Sequence, residues 1–258
     1  MMWIIYIMAG LGAGVITGLA GLSAAVIITP LLVSVCGWES YDAVTVALAA
    51  DVLASMLSSY TYAKSRNIDL KSGALTAITA FSGTVIGSYC GYLFSQAQPD
   101  GLGYISMLTT IGLGIKFLVK PITSGAESSD SENVISVKKR AIAMILSCGI
   151  GWVCGFTGSG GGILMLTVFT LVLGYNLKVA VGTSTMIMSI VALTGAVSHI
   201  MMGATLKHFP AAVTILACLL GAFVSARFAN HCEIRKLNKL VGVVLTILGI
   251  ITIAIKIF

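Results

Sequence analysis

The stretch Gly155-Phe156-Thr157-Gly158-Ser159-Gly160-Gly161-Gly162 is where this chain has the means to hold a ligand. Glycine destabilises a continuous helix by about 1 kcal/mol per residue, so the backbone is expected to unwind there. An unwound segment feeding a short helix leaves backbone N–H groups without intrahelical partners, and the helix dipole adds partial positive charge. Without a Cβ in the way, a solute can approach those amides closely. The amides of Gly155, Gly158, Gly160, Gly161 and Gly162, with the hydroxyls of Thr157 and Ser159, suit a small oxyanion. A fainter copy lies 137 residues earlier, where Gly18 and Gly21 precede Ser23 and Thr29. Those four would supply the first half's share of the same site.

Nucleotide readings of the glycines fail. A P-loop needs Gly-Lys-Ser/Thr, whereas Ile163-Leu164-Met165 follows here. A Gly-x-Gly-x-x-Gly begun at Gly158 or Gly160 meets Ile163 or Met165 where its last glycine belongs. Close helix packing is the competing account of the glycine-rich segments. It is the preferred account of Gly83, Gly87 and Gly91, which recur every fourth residue on one helix face.

Asp51 is the one acidic residue well inside a clear apolar span. A carboxylate at mid-bilayer costs roughly 2.5–3.5 kcal/mol on insertion scales, so it must face a cavity or carry a proton. It is the candidate for proton coupling; the plainer alternative is a hydrogen bond to a neighbour such as Ser55. Thr183 and Ser184, with Thr185, form a polar patch early in a later span and are candidates to line the path, as is Thr45. Otherwise these hydroxyls bond back to helix carbonyls. His199 is read as interfacial rather than gating. Six cysteines occur singly with no Cys-x-x-Cys, and three histidines show no ligand spacing. No metal site and no cofactor is expected.

The elements that position these residues follow from composition. Of 258 residues, 57% are hydrophobic and 9% charged, with a mean hydropathy of +1.02. A soluble domain carries roughly 25% charged residues, so this chain is solvated by lipid. Soluble enzymes, disordered scaffolds and nucleic-acid modules are excluded. The N-terminus lacks a basic region before its apolar run and reads as a first membrane segment rather than a cleaved signal. Clear spans are Ala43–Ala63, Gly73–Phe94, Leu102–Val119, Val179–Met202, Phe209–Ala226 and Leu240–Ile255. Two further apolar regions, Met2–Val35 and Ala141–Leu173, are broken at the glycines into pieces of about 11–17 residues, short for a crossing at 1.5 Å per residue.

The broken regions repeat each other. Gly18 and Gly21 align with Gly155 and Gly158, Gly37-Trp38 with Gly174-Tyr175, and, one residue of drift later, Gly83 with Gly221. The expected organisation is a first membrane repeat over 1–121, a cytoplasmic linker over 122–137 and a second repeat over 138–258. Of fifteen Lys and Arg, twelve fall in Lys64–Lys71, Lys116–Arg140 and Arg227–Lys239. The positive-inside rule puts all three loops in the cytoplasm. That requires each broken region to enter and leave on one side, which makes the repeats inverted and places both termini outside. The predicted fold is an all-α integral membrane protein with two inverted repeats, each a broken, re-entrant helical hairpin plus three transmembrane helices. Inverted repeats with matched breaks are a signature of secondary transporters, with the site at the midplane.

On these residues the chain resembles the TauE/SafE family of sulfite exporters. That family's pattern is a duplicated Gly-x-x-Gly-x-Gly-Gly-Gly, then apolar residues and often a proline. Gly155–Gly162 match it fully, with Thr167 where the proline would stand. The first copy keeps Gly18, Gly21 and Pro30 but has Ser23-Ala24-Ala25 in place of the triple glycine. Gly182-Thr183-Ser184 resembles the polar start of the family's next span. The resemblance implies transport of sulfite, sulfonates, thiosulfate or similar small organic anions across the cell membrane, tied to the proton gradient. Ala24 and Ala25 would narrow the first half of the site. The expected partners are a small anionic substrate, lipid and protons; a homo-oligomer is compatible, and no nucleic acid is involved. The alternative is a passive anion channel. A membrane-embedded enzyme finds no paired carboxylates, Ser-His-Asp set or metal cluster to work with.

Overall fold

A computed structural model describes residues 2–119, 137–159, 161–206, 208–228 and 234–257. The expected linker lies outside these residues except for Val137, as do Gly160, Cys232 and part of the Arg227–Lys239 loop. Helices α1 (Met2–Ala20), α2 (Ala25–Ser34), α3 (Ser40–Lys64), α4 (Leu70–Ala97) and α5 (Gly101–Val119) make the first half. In the second half α6 (Val137–Thr157) is followed by α7 (Gly161–Thr167), which passes into a π-helical turn over Val168–Val172. Helices α8 (Leu177–Met201), α9 (His208–Phe228) and α10 (Ile234–Ile257) complete it. Five of the described helices, α3, α4, α6, α8 and α9, are long and apolar enough to cross a membrane. The protein is an all-α integral membrane protein. Its surface carries large apolar side chains such as Ile78, Leu108, Ile145, Leu216 and Ile250, as a chain dissolved in lipid requires.

Both broken regions are broken where expected, and by the same device. Gly21 (φ +65°) and Gly158 (φ +70°) take the left-handed conformation. Their N–H groups donate to the carbonyls of Thr17 at 2.9 Å and Cys154 at 2.7 Å. This is the αL stop, in which a glycine after the last turn satisfies an orphan carbonyl. The short second arms also end alike. Gly37 and Gly174 have positive φ, and the next residues, Trp38 and Tyr175, donate back to Leu32 and Phe169.

The first arms differ from expectation. Helices α1 and α6 run for 19 and 21 residues, beyond the expected 11–17, because their internal glycines are offset by close packing. A Cβ on Gly14 would run into the Cys218 carbonyl of α9, and one on Gly151 into the Ala80 carbonyl of α4. Small residues let apolar helices approach to backbone contact where lipid supplies no other drive.

Among the described residues, the glycine-lined interfaces α1–α9, α4–α6, α3–α8 and α5–α10 each join the two halves. Helix α1 runs parallel to α9, since Gly10 meets Thr214 while Gly14 meets Cys218. Helix α4 runs parallel to α6, with Gly83 against Cys148 and Gly87 against Trp152. Helices α3 and α8 are antiparallel, Tyr41 stacking on His199 at one end while Tyr62 packs on Gly182 at the other. Helices α5 and α10 also run antiparallel, with Gly114 against Thr246 and Gly249 against Ile111.

Candidate functional site

The two breaks touch. The Ser23 hydroxyl donates to the Gly158 carbonyl across 3.4 Å. A Cβ on Gly162 would land on the Gly21 carbonyl, so only glycine lets the start of α7 seat on the first break. Gly21 in turn lies against Val181, Ser184 and Thr185 of α8. On the second break, Ser159 donates its N–H to the Thr157 hydroxyl at 3.2 Å, and its own hydroxyl stands 3.2 Å from that of Thr109 on α5. Ser23, Thr157, Ser159 and Ser184 are all buried. They form one polar nest inside an apolar molecule.

The amino end of α2 already holds an anion-bearing group. Asp51, fully buried on α3, accepts the Ala24 N–H through Oδ1 at 3.2 Å. Its Oδ2 has no hydrogen-bond partner among the described residues. The Ser55 hydroxyl, expected as a partner, goes instead to the backbone carbonyls of Asp51 and Val52. At the aligned place in the second half, Gly161 opens α7 against the Cys154 Sγ and the Met188 thioether. One short helix therefore begins at a carboxylate and the other at two sulfurs.

Other expected residues fall elsewhere. Gly18 and Gly155 lie within α1 and α6 rather than in the breaks. Gly155 is a packing residue, where a Cβ would strike the Thr84 carbonyl of α4. Thr183 is remote from the nest: its hydroxyl accepts the Asp69 N–H at 3.0 Å. Thr29 is buried in α2 with its hydroxyl unpartnered among the described residues. Gly160 lies outside the described residues.

Three contributors escaped the sequence reading. Pro30 has no N–H, which orphans the Val26 carbonyl one turn earlier; the Thr110 hydroxyl of α5 satisfies it at 2.7 Å. Thr109 and Thr110 stand together in an apolar span, a signal the sequence offered. His199 is the third. It is fully buried near the carboxyl end of α8, and its Nε2 donates to the Gly155 carbonyl at 2.9 Å. That carbonyl is an orphan because α6 ends before Ser159 can reach back to it. Where Thr167 replaces the proline, the helix enters its π turn, and Lys116 Nζ reaches the Thr167 hydroxyl at 3.5 Å.

A multi-pass bundle of apolar helices, with two interrupted segments meeting in a buried polar nest, has the architecture that a membrane transporter requires. The sulfite exporter TauE/SafE family matches over residues 6–252, and the chain belongs to that family. It is 26% identical to the probable membrane transporter protein YunE of Bacillus subtilis (strain 168), across 96% of each chain. Probable membrane transporter protein YdhB of the same organism is 22% identical over 84% of this chain and 86% of its own. No solved structure matches.

Proposed function

We propose that the protein is a secondary carrier of small sulfur-containing oxyanions, sulfite, thiosulfate or a small sulfonate, in the cytoplasmic membrane. The observation that carries this reading is the meeting of the two breaks, Ser23 on Gly158 and Gly162 on Gly21. The binding groups are Gly21, Ser23, Thr157, Gly158, Ser159, Gly160, Gly161, Gly162 and Ser184, and the unpartnered Thr29 hydroxyl of α2 is a further candidate. Irregular backbone inside a bilayer is tolerated where it is buried in protein or lines a cavity. Neutral donors hold an anion without the grip of a buried ion pair, so release stays fast enough for transport.

The halves 1–121 and 138–258 act as inverted repeats about an axis through the nest. Support comes from the matched glycine stops and from the antiparallel run of the equivalent pairs α3/α8 and α5/α10. Alternating access then follows from rocking one set of helices against the other. The end bearing Asp69 and the Lys64–Lys71 loop faces the cytoplasm, and both termini lie outside.

Asp51 gives the coupling a physical reason. An ionised carboxylate about 4 Å from a bound anion repels it by about 4 kcal/mol at an effective dielectric near 20, about a thousandfold in affinity. Protonation of Asp51 removes that charge and weakens its hold on the Ala24 N–H. Anion and proton are therefore carried together.

Uptake of labelled sulfite, thiosulfate and small sulfonates into proteoliposomes, with and without an imposed pH gradient, tests the reading. Saturable uptake that responds to the gradient supports a carrier. Flux that does not saturate and ignores the gradient identifies the alternative, a passive anion channel.

A further inference from the structure

A cavity of about 520 Å³ opens between the start of α3, the end of α4 and the turn after α8, lined among others by Glu39, Tyr41, Tyr92, Met202 and Thr205. Tyr41 stacks its ring on His199, centroids 4.5 Å apart and planes within 9°. Tyr41 lines the cavity, while His199 beneath it is sealed from solvent. From His199 the chain of contacts leads straight to the second break. Nε2 holds the Gly155 carbonyl, and Gly155 lies in the turn of α6 that ends at Thr157.

The imidazole is fixed from its other side as well. With Nε2 the donor, Nδ1 is an acceptor 3.3 Å from the Thr45 hydroxyl, whose single proton is shared between Nδ1 and the Tyr41 carbonyl at 2.8 Å. Tyr41, Thr45 and His199 thus form a closed unit spanning α3 and α8, the central antiparallel pair. Outward motion of Tyr41 uncovers the imidazole face. Loss of the imidazole leaves the Gly155 carbonyl a buried orphan.

We propose that the Tyr41–His199 stack is the gate between this cavity and the paired breaks, with His199 a positioning residue that holds the last turn of α6. The inference rests on the carrier reading, since a gate needs a solute to admit, but its test needs no substrate.

Cys154 supplies the reporter, because its Sγ lies against the start of α7. A protein in which Cys154 is the sole cysteine is placed in right-side-out and inverted vesicles and labelled with a membrane-impermeant methanethiosulfonate. The parent is expected to label slowly from both faces. Tyr41→Ala should raise the rate about tenfold or more, from the cavity face alone, by raising the population of the open state. His199→Gln keeps a donor for the Gly155 carbonyl but removes the ring, so it should also label faster from that face while remaining folded. Fast labelling of the parent from the cavity face overturns the gate. So does a Tyr41→Ala rate within about twofold of the parent, or a rise equal on both faces, which marks general loosening. One-sided opening in a protein that moves no oxyanion leaves the gate standing and removes the carrier reading.

Discussion

The Asp51 carboxylate accepts the Ala24 backbone N–H at 3.2 Å, at the amino end of α2. The start of α2 is thus held by a tethered carboxyl group, while the start of α7 opens at Gly161 against the thiol of Cys154 and the thioether of Met188. The two short helices therefore start against unlike chemistry. On the proposed carrier reading, a solute anion would compete with Asp51 at one start and meet no ionisable carboxyl at the other.

Asp51→Asn retains an oxygen to accept the Ala24 N–H but has no charge to titrate. The variant is expected to reach the membrane and fold, and to lose most of the pH dependence of uptake into liposomes. An unchanged pH profile would remove Asp51 from the mechanism.

Gly162→Ala places a Cβ on the Gly21 carbonyl, which forces the two breaks apart. Overpacking of this kind costs about 1–3 kcal/mol, and here it falls on the site itself. Uptake should drop about tenfold or more. Gly12→Ala serves as the control, because its Cβ meets nothing within 4 Å, and it should transport as the parent does.

Gly87→Ala tests packing rather than binding. Its Cβ would strike the Trp152 carbonyl across the α4–α6 interface, so the thermal midpoint in detergent should fall by the equivalent of about 1–3 kcal/mol. Protein that survives should bind substrate with unchanged affinity. A lowered affinity at unchanged stability would move Gly87 into the site.

At the opposite end from the cavity, Asp69 caps α4 by accepting the N–H groups of Lys71 and Ser72 and also takes the Tyr175 hydroxyl of the second half. Partial burial pushes the carboxyl up, but these hydrogen bonds outweigh it and hold it below its ordinary range. Burial and the Asp69 carboxylate raise the Tyr175 hydroxyl well above its usual value, so it stays a donor at neutral pH. A depressed carboxyl stabilises the fold above its unfolded pKa and loses that contribution as pH falls through the folded one. The parent should therefore melt higher than Asp69→Asn at pH 7, and the gap should close below about pH 4. A gap that widens on acidification would contradict the assignment.

Four of the six expected spans, at α3, α4, α8 and α9, were legible because a bilayer demands long apolar runs, and both breaks were legible because αL stops select glycine, here at Gly21 and Gly158. The length of α1 and α6 was not. Gly14 and Gly151 weaken a helix in isolation, and only the backbones of α9 and α4 restore the balance. Gly155 matches the glycine pattern yet serves the α4 interface, since one residue type meets both demands. Asp51 Oδ1 and His199 Nε2 are partnered by backbone groups on distant segments, orphaned by a helix start and a helix end. No side-chain spacing encodes such pairs. Thr110 was within reach, because Pro30 guarantees an unsatisfied carbonyl one turn back.

Uptake of labelled sulfite and thiosulfate into proteoliposomes, compared between the parent and Gly162→Ala with Gly12→Ala alongside, tests most directly whether the joined breaks hold the transported anion. The account predicts saturable uptake by the parent and the Gly12 variant, with mutual competition between the two anions and a loss of about tenfold or more in the folded Gly162 variant. Equal uptake by all three proteins would contradict it.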